Sequence, residues 1–536
     1  MKNLFITGLM LSSMLVGTGY ANTTSTGSSA LLSDTIPYPF YDVQKSSDGK
    51  LNRMMVLNSG IGSLEKRLEL IEKATKTIEV EYFIYGTDDS SRLITQALVK
   101  AAKRGVKVRM LIDKSKAIFV FDEWYAKALS EVKENGGSIE VRYYNSAALW
   151  RISSINFRNH RKLITVDDKF AITGGRNIED DYYDLSEEFN FLDRDVYISG
   201  DMALTLRESF DQFFEDKISE RPTLPQRPSD TIKKTIRRAN GRITKRVMVD
   251  NKNAVDEYVA KITTIRNFIT ENSEDLILRQ KIKEIGSEVL ASKKMHTCPE
   301  MTYSTDRPGA DLWSGGNYWM RDVTDYSDKY RNLRKTLFDK VSAADKKIII
   351  SSPYMINNDY SSELMESIIK GGVEIDIYTN SLASTDAVYV AANLYIYAER
   401  WANLGINVFV HDGNYLEEGA GVIGPGVKTA MWGTHSKTQV YESEDYTEVM
   451  IGTYNVDNRS NHYNTEMAIF CKGSEAIADE VKNSIAHRVR NSYQIHGDGT
   501  ATNKNGDSVS VLGANEENKD SMRRMTAPSW LLKFLL

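Results

Sequence analysis

The chain has 536 residues, with 68 Lys and Arg against 73 Asp and Glu and a formal charge of −5. That length allows two or three domains around a substantial core. The slightly acidic balance weighs against a dedicated nucleic-acid binder, which is more often basic overall.

Met1-Lys2-Asn3, the apolar run Leu4 to Val16 and the small residues Gly19 and Ala21 read as a secretory signal peptide over residues 1–21. An N-terminal membrane anchor is the other reading of that run. No cysteine follows it, which argues against a lipoprotein anchor. No later apolar run reaches the roughly 18 residues needed to span a bilayer. The expectation is an exported protein, periplasmic or secreted, peripheral to a membrane. Residues 22–49 make a flexible N-terminal segment, rich in Ser, Thr and Gly at its start.

A first domain is expected over residues 50–216. Leu64, Leu68 and Ile71 recur at helical spacing, which predicts a helix from Ser63 to Lys76. Thr77 to Tyr85 alternates as a strand. Ser90 to Arg104 is a second amphipathic helix, ended by Gly105 as a left-handed cap. A strand Val106 to Asp113, a helix Phe121 to Asn135 and a strand Ile139 to Tyr144 follow. The next strand carries Asn159-His160-Arg161-Lys162-Leu163-Ile164-Thr165-Val166-Asp167. Its partner is Phe170 to Thr173, with Asp167-Asp168 at the hairpin turn, and Gly174-Gly175-Arg176-Asn177 closes the string. Strand–helix alternation of this kind predicts an α/β sheet with helices on both faces.

Residues 217–334 break the pattern and read as a mostly helical inter-domain linker, with 229–294 charged and helical. Arg227 to Arg246 is strongly basic, through Lys233, Lys234, Arg237, Arg238, Arg242, Lys245 and Arg246. As a helix it is either attracted to anionic lipid headgroups or nucleic acid, or simply a solvated face. Trp313, Tyr318 and Trp319 lie among glycines, as a lid over a site or as packing of the linker onto a domain. Cys298 and Cys471 are the only cysteines. An exported chain permits them to pair, and two free thiols are the alternative.

The first domain's order recurs over residues 335–496. Leu337 to Ala344 is a helix, Lys347 to Ser351 a strand, Ser361 to Lys370 a helix ended by Gly371-Gly372, and Val373 to Thr379 a strand. Ala391 to Leu404 is a helix and Asn407 to His411 a strand. A second motif then appears: Thr434-His435-Ser436-Lys437-Thr438-Gln439-Val440-Tyr441-Glu442, closed by Gly452-Thr453-Tyr454-Asn455. The two motif histidines lie 275 residues apart, so the repeat unit is a whole domain. The tail 497–536 ends in Trp530-Leu531-Leu532-Lys533-Phe534-Leu535-Leu536, as a membrane contact or docked on the body.

Residues i and i+2 of a strand share a face. His160 therefore points with Lys162, and His435 with Lys437, while Arg161 turns away. Two such copies face to face supply two imidazoles, two ammoniums and the amides of Asn177 and Asn455. That set suits a phosphodiester. Lysine and asparagine hold the non-bridging oxygens, one histidine attacks phosphorus, and the other protonates the leaving oxygen. No metal or other cofactor is needed. Asp193 and Glu466 stand at matching distances before Gly200 and Gly473, each suited to fix an imidazole tautomer. Thr173, Thr453 and Ser460 are turn residues or further phosphate donors.

The two strings resemble the HKD motifs of the phospholipase D superfamily. Gly174 to Ile178, Phe191 to Val196, Ser352-Pro353-Tyr354, Thr379 to Asp386, Asn455 to Ser460 and Asn464-Thr465-Glu466 are similar to bacterial cardiolipin synthase-like members, over roughly residues 50–490. The resemblance implies two α/β/α sandwich domains about a pseudo-twofold axis with a helical linker insertion. It implies His160 as nucleophile and His435 as acid and base, with Glu466 bonded to His160 and Asp193 to His435. Asp167 completes the first catalytic string. At a hairpin turn five residues beyond Lys162, it reads as a structural residue bonding turn amides. Glu442 departs from the family's Asp, and the second hairpin is three residues longer, so Asp445 is an alternative occupant. Gly174, Gly175 and Gly452 belong to the structural motif.

The sequence thus points to a monomeric phospholipase D-type phosphodiesterase or transphosphatidylase. It works on a phospholipid at a membrane surface through a phosphohistidine, with no obligate nucleic acid. The classical cardiolipin synthases carry membrane-spanning helices, which this sequence lacks. An HKD endonuclease and an inactive lipid-binding protein are the rival readings.

Overall fold

Two sheets of matching strand order organise the chain in the computed structural model, which describes residues 44–45, 52–117, 120–146, 157–237, 243–309, 331–356, 359–418 and 421–510. The expected signal peptide, the aromatic stretch Trp313 to Trp319 and the C-terminal run Trp530 to Leu536 lie outside those residues. Among the described residues no helix is long and apolar enough to cross a membrane.

The first sheet runs, in spatial order, Ser219–Glu220, Ser138–Tyr144, Lys107–Asp113, Thr77–Tyr82, Leu163–Val166, Phe170–Gly174, Asp195–Ser199, Arg53–Leu57 and His296–Thr297. The second runs Gln44–Lys45, Glu300–Thr305, Met467–Lys472, Thr447–Gly452, Thr438–Glu442, Lys347–Ser351, Glu374–Asn380, Asn407–His411, Ser492–Ile495, Ala501–Thr502 and Ser508–Val509. Each has three parallel strands, and the motif strand lies antiparallel beside the first of them. That is the topology expected when strand–helix crossovers give way to a hairpin.

Local chemistry sets the helix limits. Helix Asp89–Lys103 starts where the Asp88 carboxylate accepts from the Ser91 amide, and it ends before Gly105 at φ +105°. Helix Gly60–Lys73 begins earlier than its apolar spacing indicates, because Ser59 caps it through the Gly62 amide.

Three cores build the layers. The outer core of the first half packs Leu64, Leu68, Ile94 and Leu98 against Val80, Val108 and Ile164. The outer core of the second half centres on Ile348, Ile377, Trp401 and Val408. Between the sheets lies a shared core. Phe210, Phe213 and Phe214 of helix Asp201–Glu215, with Val56 and Val196, meet Val440, Ile451, Ile469 and Val481 of the second half. The halves are therefore fused through apolar surface rather than tethered by a linker.

The intervening stretch differs from its helical expectation in two ways. Helices Lys252–Ile269 and Ser273–Ala291 are present, the second opened by an Asn272–Asp275 capping box, and both pack on the first half. The basic stretch, however, is a β-hairpin of Thr231–Arg237 and Ile243–Asp250. Thr231, Ile232, Thr235, Ile236, Ile243, Thr244, Val247 and Val249 are β-branched, and such residues favour a strand over a helix. Further along, His296–Thr297 pairs with Arg53–Leu57 and Glu300–Thr305 pairs with Met467–Lys472. With Ser219–Glu220 at the other edge of the first sheet, the stretch thus contributes strands to both sheets.

Cys298 lies between those two strands and is disulfide-bonded to Cys471 in the second sheet, closing a loop of 173 residues. Long loops carry the largest closure entropy in the unfolded chain. Cys298→Ser should therefore lower unfolding stability by about 2–5 kcal/mol. Denaturant titration with and without reductant checks this: the wild type under reductant should match the variant, and unchanged midpoints in both would refute it.

Asp167 and Asp168 both adopt left-handed backbone, φ +54° and +58°, as the central residues of the turn closed by the Lys169 amide on the Val166 carbonyl, in the three-residue connection between Leu163–Val166 and Phe170–Gly174. Right-handed strand twist favours such a turn, and Asp tolerates it better than most residues. The Asp167 carboxylate accepts from the Thr75, Lys76 and Thr77 amides at 2.9, 2.7 and 3.0 Å and from the Thr75 hydroxyl at 2.7 Å. Burial raises its pKa, but the Thr75 hydroxyl and these amides outweigh it and hold the group below its ordinary value. Asp167 is thus a clasp on the loop before strand Thr77–Tyr82 and no part of the catalytic set. Asp167→Asn keeps the turn but removes the charge. It should cost about 1–2 kcal/mol of stability while leaving turnover per folded molecule within about two-fold. A large loss of turnover without a loss of stability would contradict the structural role.

Candidate active site

The site forms where each motif strand leaves its own sheet to bond the other half. The His160 amide donates to the Thr465 carbonyl at 3.0 Å, and the Thr465 amide to the Arg158 carbonyl at 2.8 Å. In the second half, strand Met431–Thr434 pairs in parallel with Phe189–Leu192 of the first, and the His435 amide donates to the Leu192 carbonyl at 3.0 Å. His160 and His435 therefore sit in extended chain just before strands Leu163–Val166 and Thr438–Glu442, not within them. Their backbone partners are in the opposite domain.

This crossing places Glu466, next to Thr465, against His160, and Asp193, next to Leu192, against His435. His160 Nδ1–H donates to the Glu466 carboxylate, 2.9 Å to Oε2 and 3.0 Å to Oε1. His435 Nδ1–H donates to Asp193 Oδ2 at 2.6 Å. A carboxylate only accepts, so Nδ1 carries the proton and Nε2 keeps its lone pair when the ring is neutral. All four side chains are buried.

Lys162 and Lys437 bend back in parallel fashion. Lys162 Nζ donates to the His160 carbonyl at 2.7 Å and Lys437 Nζ to the His435 carbonyl at 2.6 Å. Lys437 Nζ also lies against the His435 ring, 2.6 Å from Nδ1 and 2.9 Å from Nε2. Arg161, between the paired residues, points the other way, 3.1 Å from Glu81 and over the Phe213 ring.

The electrostatics bear the mark of burial. Burial pushes Lys162 down to about 7, helped by the Lys437 ammonium, and pushes Lys437 down to about 8 against the pull of Asp193. Burial, then Lys162, Lys437 and Arg459, hold His160 well below its ordinary value. Burial and Lys437 push His435 down to about 3, opposed by Asp193. Each imidazole thus feels the lysines of both halves, which makes this one site. The carboxylates diverge. Burial raises Glu466 to about 7, whereas for Asp193 burial is outweighed by Lys437 and His435, and it stays well below the carboxylate range.

Supporting residues account for the remaining bonds. Glu466 accepts from the Thr453 hydroxyl and from the Ser460 hydroxyl at 2.7 Å. Those two residues serve the carboxylate, not phosphate, and Thr173 Oγ1 donates to the Lys162 carbonyl at 2.8 Å. A Cβ at Gly175 would lie 2.1 Å from Asp193 Oδ1, so this glycine leaves room for the carboxylate. Gly174 and Gly452 end the return strands, where the chain runs tightly against Asp195 and Met467. Asn177 is committed: its carbonyl accepts from the Ile84 amide at 3.3 Å and its amide donates to the Tyr182 hydroxyl at 2.8 Å. In this arrangement one of its two amide hydrogens orients Tyr182, whose ring meets His435 edge-on at 5.1 Å. Asn455 is different, for its side-chain carbonyl oxygen is buried without a partner. Glu442 does not copy Asp167 but pairs with Lys482 at 3.0 Å, and Asp445 is exposed in the longer turn.

Several participants were missed from the sequence. Asp306 accepts from the Glu466 amide at 2.9 Å, and its position in the presumed linker hid it. Arg176 and Arg488 both donate to the Asp193 carbonyl at 3.0 Å. Arg176 stood within the closing string, and a buried arginine beside glycines was the available signal. Arg488 carries no local signal, because its role depends on the other half. Phe83 lies edge-on to His160 at 5.2 Å, and Phe191 lies 4.7 Å from His435.

A family model described as "Cardiolipin synthase, PLD-like domain" matches residues 68–214 and 337–489, one His-x-Lys pair in each segment. Cardiolipin synthase C of Escherichia coli is 26% identical over 438 residues, 79% of this chain and 81% of its own. An uncharacterized protein of Helicobacter pylori is 26% identical over 465 residues, 83% of this chain and 81% of its own. Among solved structures, phosphatidylserine synthase of Haemophilus influenzae shares the fold, with a TM-score of 0.57 and 13% identity over 91% of this chain and 97% of that one. With the family model falling once on each half of the reciprocal site, the chain belongs to the phospholipase D superfamily, as a phospholipase D-like enzyme of the cardiolipin synthase-like branch.

Proposed function

We propose that this enzyme transfers a phosphatidyl group from a phospholipid to an alcohol or to water, through a phosphohistidine. The observation that carries the proposal is the reciprocal pairing: each imidazole is backed by a carboxylate of the opposite half and flanked by lysines of both. Two buried lysines beside the paired imidazoles form a receptor for a phosphodiester.

In the first step His160 Nε2 attacks phosphorus and the bond to the headgroup oxygen breaks. His435, protonated on Nε2, gives that proton to the departing alkoxide. In the second step His435 takes a proton from water or an acceptor alcohol, whose oxygen attacks phosphorus, and the P–N bond to His160 breaks. The asymmetry of the carboxylates supports this assignment. Asp193 stays charged and stabilises an imidazolium at His435, while Glu466 is held less acidic behind a neutral His160. A phosphodiester anion between the lysines raises both imidazoles from their resting state, so protonation of His435 follows binding. Phosphatidic acid is the product with water. A phosphatidyl ester, of the cardiolipin type with a phosphatidylglycerol acceptor, is the product with an alcohol. We further propose export, which the oxidised Cys298–Cys471 pair favours.

Mixed phospholipid vesicles with ethanol, scored for lipid products beside plasmid DNA, test the reaction. The wild type should form phosphatidic acid or phosphatidylethanol. His160→Ala and His435→Ala should each lose about 10²–10⁴-fold in rate. Cut DNA with intact lipids would move the substrate to nucleic acid. Full activity in either variant would refute the mechanism.

The titrating groups also set a pH profile. Glu466 takes a proton as pH falls through about 7, and Lys162 and Lys437 lose theirs as it rises through about 7 and 8. The profile of kcat/KM should therefore be a narrow bell, with macroscopic limbs belonging to the cluster. Glu466→Gln should lower the rate and remove the acid limb. An acid limb unchanged in that variant would assign it elsewhere.

A further inference from the structure

The hairpin Thr231–Arg237 and Ile243–Asp250 is a sheet of two strands, and among the described residues no third strand joins it. Isolated two-stranded hairpins are marginal in water unless something covers a face. Yet Thr231 to Thr235, Arg246, Met248 and Asp250 are all exposed, and Val247 and Val249 are half-covered. Met248 is 61% and Ile232 46% exposed, unusual for large apolar side chains in one small element.

The register says what surrounds them. Directly opposite residues share a face, so Met248 stands beside Lys233, with Arg246 and Thr235 one pair along. On the other face Ile232 and Val249 stand beside Lys234 and Val247. Lys233, Lys234 and Arg246 have no carboxylate partner among the described residues. Between Asp230 and Asp250 the sequence holds seven cations and no acid, in a chain whose overall charge is −5. Apolar side chains framed by unpaired cations complement an apolar layer beneath an anionic surface. A folded acidic protein would match the cations but not two exposed apolar faces.

We propose that this hairpin is the enzyme's foothold on membranes rich in anionic phospholipid. The face that carries Met248 lies on the headgroup region, with Lys233 and Arg246 holding phosphates beside it, while Ile232 and Lys234 stand on the opposite face. A phospholipid substrate, as proposed above, gives such a foothold its use, although the hairpin's exposure and charge point there independently.

Sedimentation of the full-length protein with vesicles tests this. Vesicles of phosphatidylglycerol and phosphatidylcholine should retain the wild type, and phosphatidylcholine alone should not. Each surface cation contributes about five-fold to partitioning, so Lys233→Gln and Arg246→Gln together should weaken it by about 25-fold. Met248→Ser should weaken it without altering its salt dependence. Both variants should keep wild-type turnover of a short-chain phosphodiester below its micelle concentration, which separates docking from catalysis. Equal partitioning of the wild type and the cation variant would overturn the proposal. Tighter binding of duplex DNA through the same cations would overturn it in favour of nucleic acid. Retention on anionic vesicles by a protein that transforms no lipid would leave the foothold standing and remove the proposed reaction.

Discussion

Everything at the centre depends on one exchange: each histidine takes its carboxylate from the other half. Neither domain alone has a complete imidazole–carboxylate pair, because Glu466 serves His160 and Asp193 serves His435. The exchange is built first in the backbone, where His160 bonds to Thr465 and His435 to Leu192. Side-chain geometry follows from that register, since a residue next to a crossing bond has little freedom in where it points. The shared apolar core and the disulfide then hold the halves at the spacing the crossing bonds need. A shift between domains would break both pairs together.

The same exchange fixes the electrostatic state of the site. Four ionisable groups of the two motifs, two lysines and two carboxylates, are taken out of water around two imidazoles. Burial disfavours every charge, so the lysines fall toward neutrality and Glu466 rises. Such a site is poised rather than satisfied. In the proposed reaction an incoming phosphodiester would restore the lysine charges and allow an imidazole to take a proton, so that binding and activation would be one event.

Much of this was legible in the sequence because the repeat is long and its geometry local. A His-x-Lys step, a two-residue Asp turn and a glycine before a close approach each follow from neighbouring residues, so the motif hairpins and the strand–helix order could be read directly. What could not be read depends on the other half. Arg488 and Asp306 act on backbone atoms of residues remote in sequence. Thr453 and Ser460 look like phosphate donors until Glu466 is seen beneath them. Glu442 matches Asp167 by count, yet a longer turn and one more methylene send it to Lys482. The basic stretch reads as a helix when its charge is weighed before its β-branched content. The eight β-branched residues between Thr231 and Val249 are the stronger signal.

A duplicated site faces a problem of roles, for the proposed reaction needs one histidine to attack and the other to carry protons. Two identical halves would present two identical imidazoles. Here the repeat differs in its carboxylates. Asp193 is short, is reached by the Arg194 amide at 2.7 Å and lies beneath backbone held by Arg176 and Arg488, so its charge is well supported. Glu466 is longer, and burial raises it in spite of Lys162 and the Thr453 and Ser460 hydroxyls. A firmly charged partner favours imidazolium, and a less acidic carboxylate that still accepts from Nδ1–H leaves the ring uncharged with Nε2 nucleophilic. The pseudo-twofold axis is thus broken at the groups that set basicity, while the histidines and lysines that meet the substrate remain alike.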